Sequence, residues 1–202
     1  MKICLLGKYP PIQGGVSTCN YVLAQALGKR GHKVFVVTNA DEVEFEYREE
    51  ILPKDAKYLE PHNVKVINTY PLSRKFIPGY PSFITKLSSL AIEVVKKEKI
   101  YVLYSNYLLP FGVAAYITKK ATNVPWFLDH AGSDITNLFD EPLLQPVFIE
   151  IFKNADLVVN SSQVKERLVK TGIIKDDKLS PFIGKMFYAG IRDARFSPQA
   201  KP

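Results

Sequence analysis

The densest group of polar side chains in this 202-residue sequence is Asp129-His130-Ala131-Gly132-Ser133-Asp134, directly after the apolar run Val124–Leu128. A histidine flanked by carboxylates at a strand end can move protons or orient hydroxyl groups. His130 is therefore the candidate for work at a reaction centre; the alternative is a ring that orders its loop through backbone hydrogen bonds. Asp134 can contact a hydroxyl-bearing ligand or, with Ser133, cap the helix that starts there. A second candidate is the stretch Lys8–Gly15, which places Gly14 and Gly15 immediately before a helix. Glycines let a ligand come close to the backbone, and the first-turn N–H groups around Val16 would face an anion at the positive helix end. The same pair also suits a tight turn that needs positive φ. The pattern is neither a Gly-x-Gly-x-x-Gly fingerprint nor a Walker A loop. Ser161 and Ser162 open another helix, as its cap or as contacts to a sugar hydroxyl, capping being the simpler reading. Ser105, Asn106 and Tyr107 are further polar groups at a strand end. A rim with glycine clearance, one histidine and hydroxyl-bearing side chains suits a sugar or phosphorylated ligand better than a metal or a nucleophile. No Gly-x-Ser-x-Gly elbow occurs.

The elements that would hold these residues alternate along the chain. Lys2–Gly7 is a compact apolar strand. Val16–Arg30 is helical, with Val16, Cys19, Leu23, Ala26 and Leu27 on one face, and Lys33–Thr38 is a second strand. Residues 39–62 are acidic and irregular, a loop or small hairpin. Val64–Asn68, Ile100–Tyr104, Val124–Leu128, Asp156–Asn160 and Lys185–Ala189 read as five more strands. Ser82–Lys99, Phe111–Ala121, parts of Ile135–Asn154 interrupted near Pro142 and Pro146, and Gln163–Thr171 read as helices. Seven apolar strands interleaved with helices imply an α/β fold: a Rossmann-like, doubly wound, mainly parallel seven-stranded sheet with helices on both faces. In such sheets ligands gather at the carboxyl ends of the strands, where the candidates above fall. His32 and His62 do not fall there. Residues 1–196 read as one domain and 197–202 as the start of a linker.

Composition excludes several classes. The chain is 47% hydrophobic and 23% charged, an ordinary globular balance. Cys4 and Cys19 lie in apolar or helical patterns and read as buried thiols, with no disulfide framework and no metal site. The apolar run at the N-terminus is too short for a secretory signal, so a cytoplasmic location is expected. Ile100–Thr118 carries no charge over 19 residues, but Ser105, Asn106, Pro110 and Gly112 break it into strand, loop and helix. The net charge is +7, distributed unevenly: residues 41–60 hold 8 acidic and 3 basic side chains, residues 71–120 hold 8 basic and 2 acidic. The basic stretch reads as a solvated helix face, with peripheral contact to an anionic membrane surface as the alternative; no nucleic-acid partner is expected.

Four blocks carry a resemblance to the GT4-type glycosyltransferases of the GT-B fold. They are Pro10-Pro11-Ile12-Gln13-Gly14-Gly15-Val16; Leu27-Gly28-Lys29-Arg30-Gly31-His32-Lys33-Val34; His130-Ala131-Gly132-Ser133-Asp134; and Asn154-Ala155-Asp156-Leu157-Val158-Val159, followed by Gly190-Ile191 and Arg195-Phe196-Ser197-Pro198. The resemblance implies the N-terminal, acceptor-side half of a two-domain retaining transferase, inactive by itself. The donor half would lie beyond this chain. A nucleotide-sugar would be the donor, a glycan, lipid or small molecule the acceptor, and no metal or other cofactor would be needed. Gly14, Gly15 and Val16 would face the donor phosphates and sugar, His130 would sit beside the sugar ring, and Asp134, Ser161 and Asn106 would contact acceptor or sugar. The chain departs from the family at Ala189-Gly190-Ile191-Arg192, where Asn-Gly-Val-Asp is common, and at Tyr104, Ser105 and Asn106, where many members carry histidine. Rival readings are a sugar-nucleotide epimerase of the same architecture and a non-catalytic domain that binds glycan or membrane.

Overall fold

The computed structural model describes residues 1–69, 83–129, 134, 141–160, 168–170, 172 and 179–181. The elements run β1 (Lys2–Leu6), α1 (Gly15–Lys29), β2 (Lys33–Thr38), β3 (Val64–Asn68), α2 (Phe83–Glu98), β4 (Val102–Asn106), α3 (Val113–Thr122), β5 (Trp126–Asp129), α4 (Gln145–Asn154), β6 (Leu157–Asn160) and β7 (Leu179–Pro181). The strands form one sheet in the order β3-β2-β1-β4-β5-β6-β7, and every pairing is parallel. Six strands of four to six residues carry the sheet, and the three-residue β7 extends it at one edge. The seventh strand expected at Lys185–Ala189 lies outside the described residues, as do the linker expected at 197–202 and all but residues 168–170, which are helical, of the helix expected at Gln163–Thr171.

Alternating residues of the near-continuous apolar strands face two layers. Leu5, Val34, Val36 and Val64 pack with Tyr21 and Ala24 of α1 on one face. Cys4, Leu6, Phe35, Val37, Leu103, Trp126 and Leu128 pack with α2, α3 and α4 on the other. Trp126 is fully buried, and its indole N–H donates to Ser105 Oγ at 2.9 Å, so Ser105 serves the core rather than the rim.

Four expectations need correction. The strands expected at 100–104 and 124–128 each begin two residues later. Lys99 (φ 54°) and Asn123 (φ 56°) end α2 and α3 in the left-handed region, and Ile100 N–H reaches back to Val95 O at 3.1 Å. Ile100 and Val124 are thus buried anchors of helix ends, which resemble strand starts in sequence. The fully buried positions of α1 are Ser17, Asn20, Tyr21, Ala24 and Gly28; of the expected face Val16, Cys19, Leu23, Ala26 and Leu27, all half-buried, only Leu23 and Leu27 pack against the core. Small residues let this helix lie close on the sheet: at Gly28 an added Cβ would stand 3.4 Å from the Asn63 backbone N. Cys4 is a buried thiol, pushed up to about 12 by burial, whereas Cys19 is half-buried. The acidic segment, by contrast, takes the loop form of the two expected, winding through 3₁₀ turns at Ala40–Glu42, Phe45–Tyr47 and Ala56–Leu59. Finally, Pro146 does not interrupt a helix but lies in the first turn of α4, where its missing N–H costs nothing.

Candidate active site

The strand order reverses direction between β1 and β4, so the loops leaving these two strands diverge and open a crevice at their carboxyl ends. The β1–α1 loop forms one wall. It is fastened to the acidic segment by Gln13 N–H to Tyr47 O (2.8 Å), Gln13 Nε2 to Arg48 O (3.1 Å) and Glu49 N–H to Pro11 O (2.8 Å). Tyr9 is fully buried under the loop and donates to Leu59 O at 3.0 Å. Past these anchors the chain reaches Gly14 at φ 119°, a backbone region that favours glycine, and enters α1 at Gly15.

Among the described residues the start of α1 is open: a Cβ at Gly14 or Gly15 would meet none of their atoms within 4 Å. Gly14 O accepts from Thr18 N–H at 3.2 Å, so Thr18 N–H is the first intrahelical donor, and the amides of Gly15, Val16 and Ser17 before it have no acceptor within the helix. Among the described residues no side chain caps them, and no acidic residue stands in the first turn. Amide donors without a helical acceptor at the positive end of a 15-residue helix are suited to a phosphate or carboxylate. Lys8, at the start of the same loop, lays its ammonium over the Tyr107 ring of the opposite wall, Nζ 5.1 Å from the ring centre.

The opposite wall leaves β4. Tyr107 sits at φ 61°, ψ 149°, held by its N–H to Asp129 O at 3.0 Å. The chain then makes a wide turn over Leu108–Gly112 into α3; a Cβ on Gly112 would stand 2.7 Å from Tyr107 O, which explains the glycine. Asp134 is buried, and its Oδ2 accepts from Leu108 N–H at 2.9 Å. Its carboxylate thus ties the segment after β5 to the turn after β4. Asp129, at the end of β5, accepts from Tyr104 OH at 2.6 Å. Burial pushes the Asp129 carboxyl up to about 6, the Tyr104 hydrogen bond holds it down, and Asp134 pushes it up further. Burial, aided by Asp129, raises the Tyr104 phenol well above its usual range.

Between the walls lies a buried pair of which sequence reading named only Asn106 and missed its partner, Asn20. Asn20 of α1 donates from Nδ2 to Lys8 O at 2.6 Å, and Asn106 of β4 donates from Nδ2 to Asn20 Oδ1 at 2.8 Å. Both are buried, so Asn106 lies beneath the rim rather than on it. A polar residue inside a helix carries no local signal of this kind, because its partner is 86 positions away.

Of the residues singled out from sequence, Gly14, Gly15, Val16, Asn106 and Asp134 all fall at this carboxyl edge. His130 and Ser161 lie outside the described residues. His32 contacts the N-terminal amine at 3.2 Å at the amino edge, and His62 precedes β3 on that same edge. Among the described residues no group of three or more His, Cys, Asp or Glu could hold a metal ion, and no helix is long and apolar enough to cross a membrane.

Solved structures share this architecture. The chain is similar to HepE from Anabaena in complex with UDP-glucose (TM-score 0.59, 18% identity, 90% of this chain and 43% of that one). It is similar to the UDP-GlcNAc 2-epimerase of Neisseria meningitidis bound to UDP-GlcNAc (TM-score 0.60, 14% identity, 95% and 49%). The UDP-GlcNAc 2-epimerase of Methanocaldococcus jannaschii is a third (TM-score 0.57, 16% identity, 95% and 48%). At these identities the likeness is one of fold, and the chain spans less than half the length of each of these proteins. No curated protein matches the chain. A family model does match, over residues 13–180, from the anchored glycine loop through the strands that build the crevice, and by that match the chain belongs to Glycosyltransferase Family 4.

Proposed function

We propose that this chain is the acceptor-side half of a retaining glycosyltransferase that moves a sugar from a nucleotide-sugar to an acceptor hydroxyl. The observation that carries the reading is the start of α1 at the switch point, uncapped and unobstructed among the described residues and within the region matched by the family. In the proposed reaction the bond between sugar C1 and the diphosphate oxygen breaks as the acceptor oxygen bonds to C1, and the acceptor proton passes to the departing diphosphate. Charge builds on the ring and on that leaving group. The amides of Gly15 and Val16, fixed before the reaction and aimed at the growing negative charge, supply the stabilisation. This reading gives His130 a place beside the sugar ring and Ser161 a contact to sugar or acceptor. Asp134 and Asn106 act from beneath, by holding the walls. The donor would be bound chiefly by a second half beyond this chain, and no metal is required where amides meet the phosphates.

HepE, crystallised with UDP-glucose, and the Neisseria epimerase, crystallised with UDP-GlcNAc, supply the first donors to try. The test is incubation of the full-length protein with each donor, with and without a panel of sugar and lipid acceptors. Release of UDP coupled to a glycosylated acceptor, and dependent on that acceptor, is the expected result. Interconversion of nucleotide-sugars with no acceptor present would overturn the reading in favour of an epimerase.

A further inference from the structure

The Asn20–Asn106 pair suggests how the open helix start is held still. The β1–α1 loop is fastened to the acidic segment on its far side by Gln13 and Pro11. On its near side the hold is the Asn20 amide on Lys8 O, and Asn20 is in turn oriented by Asn106. Three observations show that the pair is built for a fixed geometry. Each Asn has a side chain buried almost completely, where unmatched amides are costly. Among the described residues the buried Asn106 Oδ1 atom meets no donor, so the side chain is oriented for the bond it donates rather than for one it could accept. Gly7 leaves room for the pair: a Cβ there would stand 2.5 Å from Asn106 Oδ1 and 2.8 Å from Asn20 Nδ2, closer than real contacts allow.

We propose that Asn106 and Asn20 form a relay of two amides, from β4 through α1 to the Lys8 carbonyl, that positions the β1–α1 loop and with it the Gly15 and Val16 amides. Both are positioning residues; neither touches the reacting atoms. The proposal rests on the transferase reading for its consequence, but its structural part stands apart from it. Since the amides are needed most as the diphosphate departs, a loosened loop lowers kcat and leaves the donor KM nearly unchanged. Since the two side chains act in series, breaking either link breaks the whole.

The test uses the full-length protein with Asn20→Ala, Asn106→Ala, the double variant and Gly7→Ala, and with Val94→Ala in α2 as a control of core stability. Amide hydrogen exchange is read across residues 8–17 and across α2, and kcat and KM are read for UDP-glucose and UDP-GlcNAc. The expected result is exchange at least tenfold faster in residues 8–17 but not in α2. It also includes kcat lowered tenfold or more with donor KM within about twofold, and a double variant no worse than the poorer single one. Val94→Ala should quicken exchange in α2 and leave kcat unchanged. Unchanged exchange in residues 8–17, or losses in kcat that multiply in the double variant, would overturn the relay. Faster exchange in residues 8–17 with full kcat would overturn its catalytic consequence. A wild type that transfers no sugar would sink the transferase reading instead, and the exchange data would still decide the relay.

Discussion

Asp129 shows how a residue's environment sets its chemistry. Its carboxyl is raised to about 6, above the roughly 3.9 of an unfolded chain. Between those values the folded state holds a proton that the unfolded state has released. Stability therefore falls as pH rises from about 4 to about 6 and is level above that. The groups facing it are Tyr104, Asp134 and the Cys19 thiol of α1. Asp129→Asn keeps an acceptor for Tyr104 and removes the titration, so its stability relative to wild type should rise by up to about 2 kcal/mol across this pH window. Urea unfolding at pH 4 and pH 7 measures this; an equal difference between the two proteins at both pH values would refute it. At Gly112 the obstacle is backbone, not a movable side chain, so Gly112→Ala should cost more than 1 kcal/mol in the same assay. At this scale Gly14 and Gly15 were legible because glycine has a narrow set of uses. Asn20 and Gly7 were not, because each is explained only by an atom brought from β4.

Elements were legible where one force dominated. The apolar strands and the strand–helix–strand order follow from composition and punctuation, and the parallel sheet follows from them. The face of α1 was not legible, because close approach selected small side chains where hydrophobicity suggested large ones. A pair of substitutions tests that explanation. Ala24, fully buried against the sheet, has no space to give, so Ala24→Leu should lower stability by about 1 to 3 kcal/mol. Ala26, half-buried on the same helix, should accept leucine within about 0.5 kcal/mol. Thermal or urea unfolding compares the two, and equal losses would mean that the helix does not rest on its small-residue stripe. Boundaries were misread for a related reason: Ile100 and Val124 are buried as firmly as strand residues, but the left-handed residues before them place them at helix ends.

Across the whole molecule the sheet separates two surfaces. Lys96, Lys97, Lys99, Lys119 and Lys120 lie at the ends of α2 and α3 that feed β4 and β5, on the amino edge, where cations complement the helix dipoles. The loops that shape the crevice leave the carboxyl edge. Neutralising Lys96, Lys97 and Lys99 together, all exposed, should therefore leave kcat and donor KM of the full-length protein within about twofold of wild type. The crevice itself depends on the open amides at the start of α1. Gly15→Pro deletes one of those donors at the first helical position, where proline fits the helix and the preceding Gly14 is already extended at ψ 163°. Gly15→Ala keeps the donor and adds a methyl group that meets no atom of the described residues within 4 Å. The most direct measurement is kcat of the full-length enzyme carrying each change, with unfolding temperatures to confirm that both fold. The account predicts a loss of about 100-fold or more for Gly15→Pro and less than about tenfold for Gly15→Ala. Equal turnover in the two variants, whether intact or lost, would contradict it.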